Sequence, residues 1–315
     1  MATESDLAKV HAEAINSLRK TEFSPQDREK KRAEITLMHD RLVEAVFIDN
    51  KNNGIITDAA NIFRKIYDLP PIPAINRTTT QKSSMIHYWE RKMIADLLSG
   101  HEVPTKSGAL RGIFNVTIEI QNDPQAGFDT RAILSFGNAL REGFIMGSSY
   151  TMAPDTMGIN ILGYNLPSHS FKKEFYSRKV ITDHDYPERF FLDDKFSIYF
   201  AELTKLGKKS DWGEKYHELW DLCAVFRHKL SEYDEVMKMV ASPVAQALMR
   251  ETQKAAGHDT VIDEVLADDK VEMYISGLLA DSEQKRIADI EKMVELINSG
   301  VPAGEASRRI LSGSH

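Results

Sequence analysis

The chain holds a single cysteine, Cys223. An internal disulfide is therefore excluded, and so is any cysteine-based metal cluster. Long apolar runs are missing too: no stretch reaches the ~18 apolar residues that read as a membrane span. The opening segment "MATESDLAKVHAEAINSLRK" lacks the apolar core of a secretory signal. Together these absences predict a reduced, cytoplasmic protein. There is no G-x-x-x-x-G-K-[ST] motif, hence no P-loop for nucleotide phosphates. Basic excess is also absent, with 40 Lys and Arg against 47 Asp and Glu and a formal net charge of -7. That balance does not favour indiscriminate nucleic-acid binding. It is compatible with clustered acids whose charge a bound cation offsets.

What is present suits an ordinary buried core: 315 residues, 42% hydrophobic and 28% charged, enough for one large domain or two smaller ones. "SPQDREKKRAEITLMHDRLVEAVF" reads as one long helical run, with Ser24 as N-cap and Pro25 at the first helical position. "DNKNNG" breaks it, and "IITDAANIFRKIYDL" forms a second helix with Ile55, Ala59, Ile62, Phe63 and Ile66 on one face. "MIHYWERKMIADLLS" fits a helix, or a helix entering a strand near Met93–Leu98, and "GHEVPTKSGALRG" reads as turn throughout. A strand at Ile113–Gln121, a helix at 128–144, and strands at 157–167 and around Phe196–Leu203 follow. From Gly207 onward the pattern is helical, with a stripe of Tyr216, Leu219, Trp220, Cys223, Phe226 and Leu230. The order predicts a mixed sheet flanked by helices, divided into a domain over 1–207 and a helical C-terminal region over 208–315.

Within the strand, "VTIEIQ" (116–121) alternates. Val116, Ile118 and Ile120, with Phe114, take one face, while Thr117, Glu119 and Gln121 take the other. A divalent cation such as Mg²⁺ takes hard oxygen ligands, commonly one or two carboxylates plus waters and phosphate oxygens. Between residues 69 and 118 the carboxylates are Glu90, Asp96 and Glu102, and Asp96 stands alone among apolar neighbours in "MIADLLSG". If the strand near Met93–Leu98 turns back on Ile113–Gln121, Asp96 and Glu119 share a cation. Without such a partner the polar face reads as solvated strand surface.

The stretch "VTIEIQNDPQAGFDTRAILSFGNALREGFIMGSSYTMAPDTMGINILGYNLP" resembles the core of the PD-(D/E)XK nuclease family transposases, the group related to the Rpn recombination-promoting nucleases. The matching features are Glu119 and Gln121 on a strand, Arg131 on the next helix, Gly147 and Tyr150, and the apolar strand Ile159–Pro167. "FSIYFAELTKL" and "EKYHELWDLCAVFR" resemble the family's later strand and its Trp-bearing helix, and the ordered set spans most of residues 37–311. The resemblance implies an α/β (α+β), restriction-endonuclease-like core with a helical C-terminal extension. It implies a metal-dependent DNA endonuclease of a mobile-element or recombination type, with DNA as partner. Asp96 and Glu119 would hold Mg²⁺ or another divalent cation. Gln121 stands where the wider superfamily often has Lys; an amide orients a nucleophile but supplies no charge. The 23 residues from Asp96 to Glu119 exceed the family's usual gap, which leaves Glu90 as the alternative. The Lys-to-Gln difference equally suits a catalytically inactive DNA- or protein-binding module, and a helical adaptor built on 208–311 is a third reading. A homo-oligomer is left open.

Other candidates divide between function and scaffold. Arg131 suits a phosphate contact or the orienting of Glu119, or else a structural salt bridge. Asp40 or Glu44 on the N-terminal helix supports the metal site or merely occupies helix surface. "REKKR" (28–32) is the one dense basic run, and "DHDYPE" (183–188) reads as a loop.

Overall fold

The computed structural model describes residues 4–49, 53–72, 78–80, 97–104, 111–124, 127–142, 155–182, 184–185, 195–298 and 301. In chain order its elements are α1 (Glu4–Arg19), α2 (Pro25–Glu34), α3 (Asp40–Glu44), α4 (Asn53–Lys65), β1 (Thr78–Thr80), β2 (Leu97–Pro104) and β3 (Arg111–Gln121). Then come α5 (Phe128–Glu142), β4 (Asp155–Leu162), β5 (Tyr176–Val180), β6 (Phe196–Glu202), α6 (His217–Arg227), α7 (Tyr233–Met239), α8 (Pro243–Ala256) and α9 (Asp259–Asn298). Among the described residues no helix is long and apolar enough to cross a membrane.

The strands form one six-stranded mixed sheet in the order β1-β2-β3-β4-β6-β5. β3, β4 and β6 run parallel at its centre, while β1, β2 and β5 pair antiparallel at the flanks. A parallel pair needs a crossover, and α5 provides the one between β3 and β4, packing on both. The cover is apolar: Phe128, Ala132 and Phe136 of α5 meet Leu162, Ile198 and Phe200 of the sheet. Phe136 stands edge-on to Phe196 at 6.2 Å. On the opposite face Ile118, Ile159 and Tyr199 are buried, and Phe63 of α4 meets Tyr199 edge-on at 5.9 Å. Both faces of the central strands are thus withdrawn from water. Burying each large side chain of this kind stabilises the fold by about 1.5–3 kcal/mol.

The chain packs as two units. One comprises Ser24–Ile262, and the other comprises Met1–Phe23 with Asp263–His315. The division expected after residue 207 falls inside the larger unit, because α6 packs on α4 and on the turn that follows β6.

Several elements differ from the periodicity reading. The helical run from Ser24 breaks at Ile35, whose backbone is extended (φ -70°, ψ 144°). The reason is a distant partner: Ile35 O accepts from Leu230 N at 2.9 Å, and Thr36 bridges Lys229. The predicted N-cap is present, with Ser24 Oγ accepting from Asp27 N at 3.1 Å and Asp27 Oδ2 accepting from Ser24 N at 3.3 Å. β2 extends through "HEVP", which the turn residues had suggested was loop, because its backbone pairs with β3 from Ser99↔Val116 to Pro104↔Arg111. The strand expected over 157–167 ends at Leu162. Gly163 N donates to Gln121 O at 2.8 Å, and a Cβ at Gly163 would lie 2.7 Å from Asn122 Oδ1. Only glycine fits that approach. β1 and β5 carried no strand signal that the reading used.

The C-terminal helical run likewise divides into α6, α7 and α8. The buried Asp221 carboxylate accepts from Ala241 N and Ser242 N, each at 2.9 Å, and pairs with Lys209. Trp212 and Trp220 both donate through Nε1 to Leu206 O, at 2.8 and 3.3 Å. Cys223 is fully buried, and burial pushes its thiol pKa up, so it stays protonated and inert.

Candidate active site

The polar face of β3 is a buried surface. Thr117, Glu119 and Gln121 are 3%, 2% and 3% exposed, which rules out the solvated-strand reading. They point toward α5: a Cβ at Gly158, which pairs with Thr117, would meet Thr117 Oγ1 and Phe136 together. A carboxylate in such a place needs a counter-charge. Arg131 Nε provides it, 2.7 Å from Glu119 Oε1. The chain reaches Arg131 quickly because Gly127 takes a left-handed φ of +75°, turning β3 directly into α5. Arg131 N then donates to Gly127 O in the first helical turn. Arg131 is a quarter exposed and Glu119 is not, so the guanidinium joins a buried acid to solvent.

Gln121 sits two residues on, at the end of the strand. Its Nε2 donates to Asp123 O at 3.2 Å, which fixes the amide plane. Glu119 and Gln121 therefore present a carboxylate and an amide from one face of a central strand, near the carboxyl ends of the parallel strands. Sheets of this kind place ligands there.

The remaining predicted residues fall elsewhere. Asp96, Glu90, Gly147 and Tyr150 lie outside the described residues. Asp40 begins α3, and its side chain also lies outside them. Glu44 pairs with Arg41 at 3.1 Å. His39 caps α3, its Nδ1 accepting from Arg41 N at 3.3 Å. From the basic run, Arg32 Nε donates to Ala256 O at 3.0 Å and its guanidinium pairs with Asp259, so this residue ties α2 to the end of α8. His184 and Asp185 are exposed beside one another. Among the described residues no group of three His, Cys, Asp or Glu side chains is arranged to hold a metal ion.

A second buried polar cluster was not foreseen. Glu202, the last residue of β6, stands in the same cross-strand row as Leu162 and Gln121. Its Oε1 lies 3.0 Å from His169 Nδ1, while Oε2 accepts from Leu166 N at 2.8 Å and pairs with Lys205 Nζ at 2.9 Å. Lys205 also donates to His169 O at 2.9 Å. The cluster fastens the 163–175 segment to the sheet. Glu202 and Lys205 belong to the "FSIYFAELTKL" stretch that resembles the family's later strand, but nothing in "LPSHS" marked His169 as buried.

Burial lowers the His169 pKa below its ordinary value, and Glu202 opposes that shift only in part. Above about pH 6.5 the imidazole is neutral in both folded and unfolded chains. As pH falls below that value, the unfolded chain takes up the proton first, so stability declines until the folded-state pKa is passed. We expect melting temperature to drop between pH 7.5 and 5.5, with a smaller drop in His169→Gln. Identical pH profiles for the two proteins would remove His169 as the cause.

The architecture defines the class: a mixed sheet sandwiched by helices, with an acid and an amide buried at alternate positions of a central strand, is a PD-(D/E)XK-type α/β fold. A family model described as PD-(D/E)XK nuclease family transposase matches residues 111–272, about half the chain, and the protein belongs to that family. Membership supports nuclease-like function in general. None of the curated proteins and none of the solved structures matches the chain.

Proposed function

We propose that this protein is a divalent-cation-dependent DNA endonuclease with Asp96, Glu119 and Gln121 at its centre. The observation that carries the reading is the buried Glu119, held by Arg131 and sharing one strand face with Gln121. The donor set fits a hard cation: a carboxylate and an amide oxygen are oxygen ligands, and Mg²⁺ completes its shell with water and substrate phosphate. Asp96 is taken as the second acid from the family resemblance.

When bound, the cation lowers the pKa of water and offsets charge on the scissile phosphate. The chain's own groups do the rest. Gln121 orients the attacking water by hydrogen bonding, without contributing charge. Arg131 pairs with the Glu119 carboxylate, and its partly exposed guanidinium is suited to a phosphate oxygen.

The second reading, a non-cleaving DNA- or protein-binding module, draws on the same pair. Glu119 already has a counter-charge in Arg131, and Gln121 adds none. Incubation with supercoiled plasmid separates the two. The endonuclease reading expects nicked and linear products with Mg²⁺, none with EDTA, and at least a roughly tenfold slower reaction in Glu119→Gln, on the scale of a disturbed metal site. Intact plasmid under all conditions would favour the binding module.

A further inference from the structure

A groove of about 420 Å³ runs along β5, the edge strand of the sheet, within the size range of ligand sites. Its lining combines two kinds of side chain that seldom meet on an acidic protein. Phe171 is 78% exposed, well beyond what a scaffold aromatic needs. Lys172 reaches over its ring, with Nζ 5.9 Å from the centroid. Across the groove, the Arg178 guanidinium lies over Tyr67 at 5.3 Å and Tyr199 at 5.8 Å, so its plane is set by the rings beneath it. Burial raises the Tyr67 pKa to about 12, which keeps that phenol neutral.

One further observation indicates a ligand. The local charge is reversed: with Lys179 paired to Asp129 at 2.7 Å, Lys172, Lys173 and Arg178 remain against Glu174, which itself lines the groove, in a chain of net charge -7. Arg178 pairs with Tyr199, Tyr199 with Ile159, and Ile159 with Ile118, so the Arg178 side of the groove lies on the α4 face of the sheet, opposite the face that carries Glu119.

We propose that the groove beside β5 holds single-stranded DNA, with a base stacked on Phe171 and adjoining phosphates at Lys172 and Arg178. An exposed ring beside cations is the arrangement that holds single strands without reading sequence. In a duplex the base faces are already stacked and closed to Phe171. The proposal takes its substrate class from the endonuclease reading but adds a site that binds without cleaving.

The test is fluorescence anisotropy of a labelled oligothymidylate strand titrated with full-length protein in EDTA, so that no cleavage intervenes. Phe171→Ala is expected to weaken binding by roughly 5- to 150-fold, the range for losing one stacked base, while Phe171→Trp retains or improves it. Lys172→Ala is expected to reduce the slope of log affinity against log salt by about 0.7. Wild-type affinity in Phe171→Ala would overturn the proposal, as would equal loss of affinity for a duplex of the same length. Strand binding that depends on Phe171, with plasmid left intact, would uphold the groove and reject the endonuclease. Nicking by a protein whose strand affinity ignores Phe171 would do the reverse.

Discussion

Arg131→Ala is expected to melt at a temperature roughly 6–12 °C below the native protein in EDTA. Glu119 is 2% exposed, and its carboxylate depends on the guanidinium 2.7 Å away. Removing one partner of a buried pair leaves an uncompensated charge and destabilises by about 3–5 kcal/mol. The lower end applies here, because Arg131 is itself a quarter exposed. For a packing unit of this size each kcal/mol shifts the melting temperature by about 2–4 °C. Two further measurements give the result its meaning. Glu119→Gln in the Arg131→Ala background removes the orphaned charge, so the double variant should recover part of the loss and show strong coupling between the two sites. If this position accepts a divalent cation, Mg²⁺ should raise the melting temperature of Arg131→Ala more than that of the native protein, since a ligand that binds only the folded state stabilises it. Native-like melting of Arg131→Ala in EDTA would show that the ion pair does not hold Glu119.

Asp221→Ala is the second large effect, and its origin is purely architectural. The carboxylate is 1% exposed and receives Ala241 N, Ser242 N and the Lys209 ammonium. Those two amides belong to the turn between α7 and α8, where the chain leaves one helix and Ser242 begins the next. Alanine would leave two amides and an ammonium without their acceptor, at about 1–3 kcal/mol for each buried group left unsatisfied. A loss of roughly 3–5 kcal/mol in urea unfolding is expected, since the exposed part of Lys209 regains water. Asp221→Asn keeps an oxygen acceptor but not the charge, and should fall between the two. A change below about 1 kcal/mol in Asp221→Ala would show that the turn is held by packing alone.

The two residues differ in how visible their roles are before folding. Arg131 follows Glu119 closely in the chain, and its place one turn into the next helix already suggested the orienting of that acid as one of its roles. Asp221 lies twenty and twenty-one positions from the two amides it caps, inside an apparently unbroken helical pattern, so nothing local distinguished it from a surface acid. The same contrast holds across the fold. The Ser24–Asp27 cap, the apolar stripe of α4, the whole of α5 and the alternation of β3 depend on residues within one or two turns of each other. Those elements were legible. The break at Ile35 was not, because its partner is Leu230. Nor was β5, a short edge strand of mixed polarity whose pairing with β6 closes the sheet.

The sequence by itself determined the local elements, the family resemblance, and the placing of a carboxylate and an amide on one face of a strand, because periodicity and turn chemistry act between near neighbours. Tertiary structure alone decided that this face is buried, that Arg131 neutralises Glu119 there, and that an exposed phenylalanine shares a groove with Lys172 and Arg178. Burial and ion pairing arise only when distant segments displace water from one another, and no local pattern records which segments those will be.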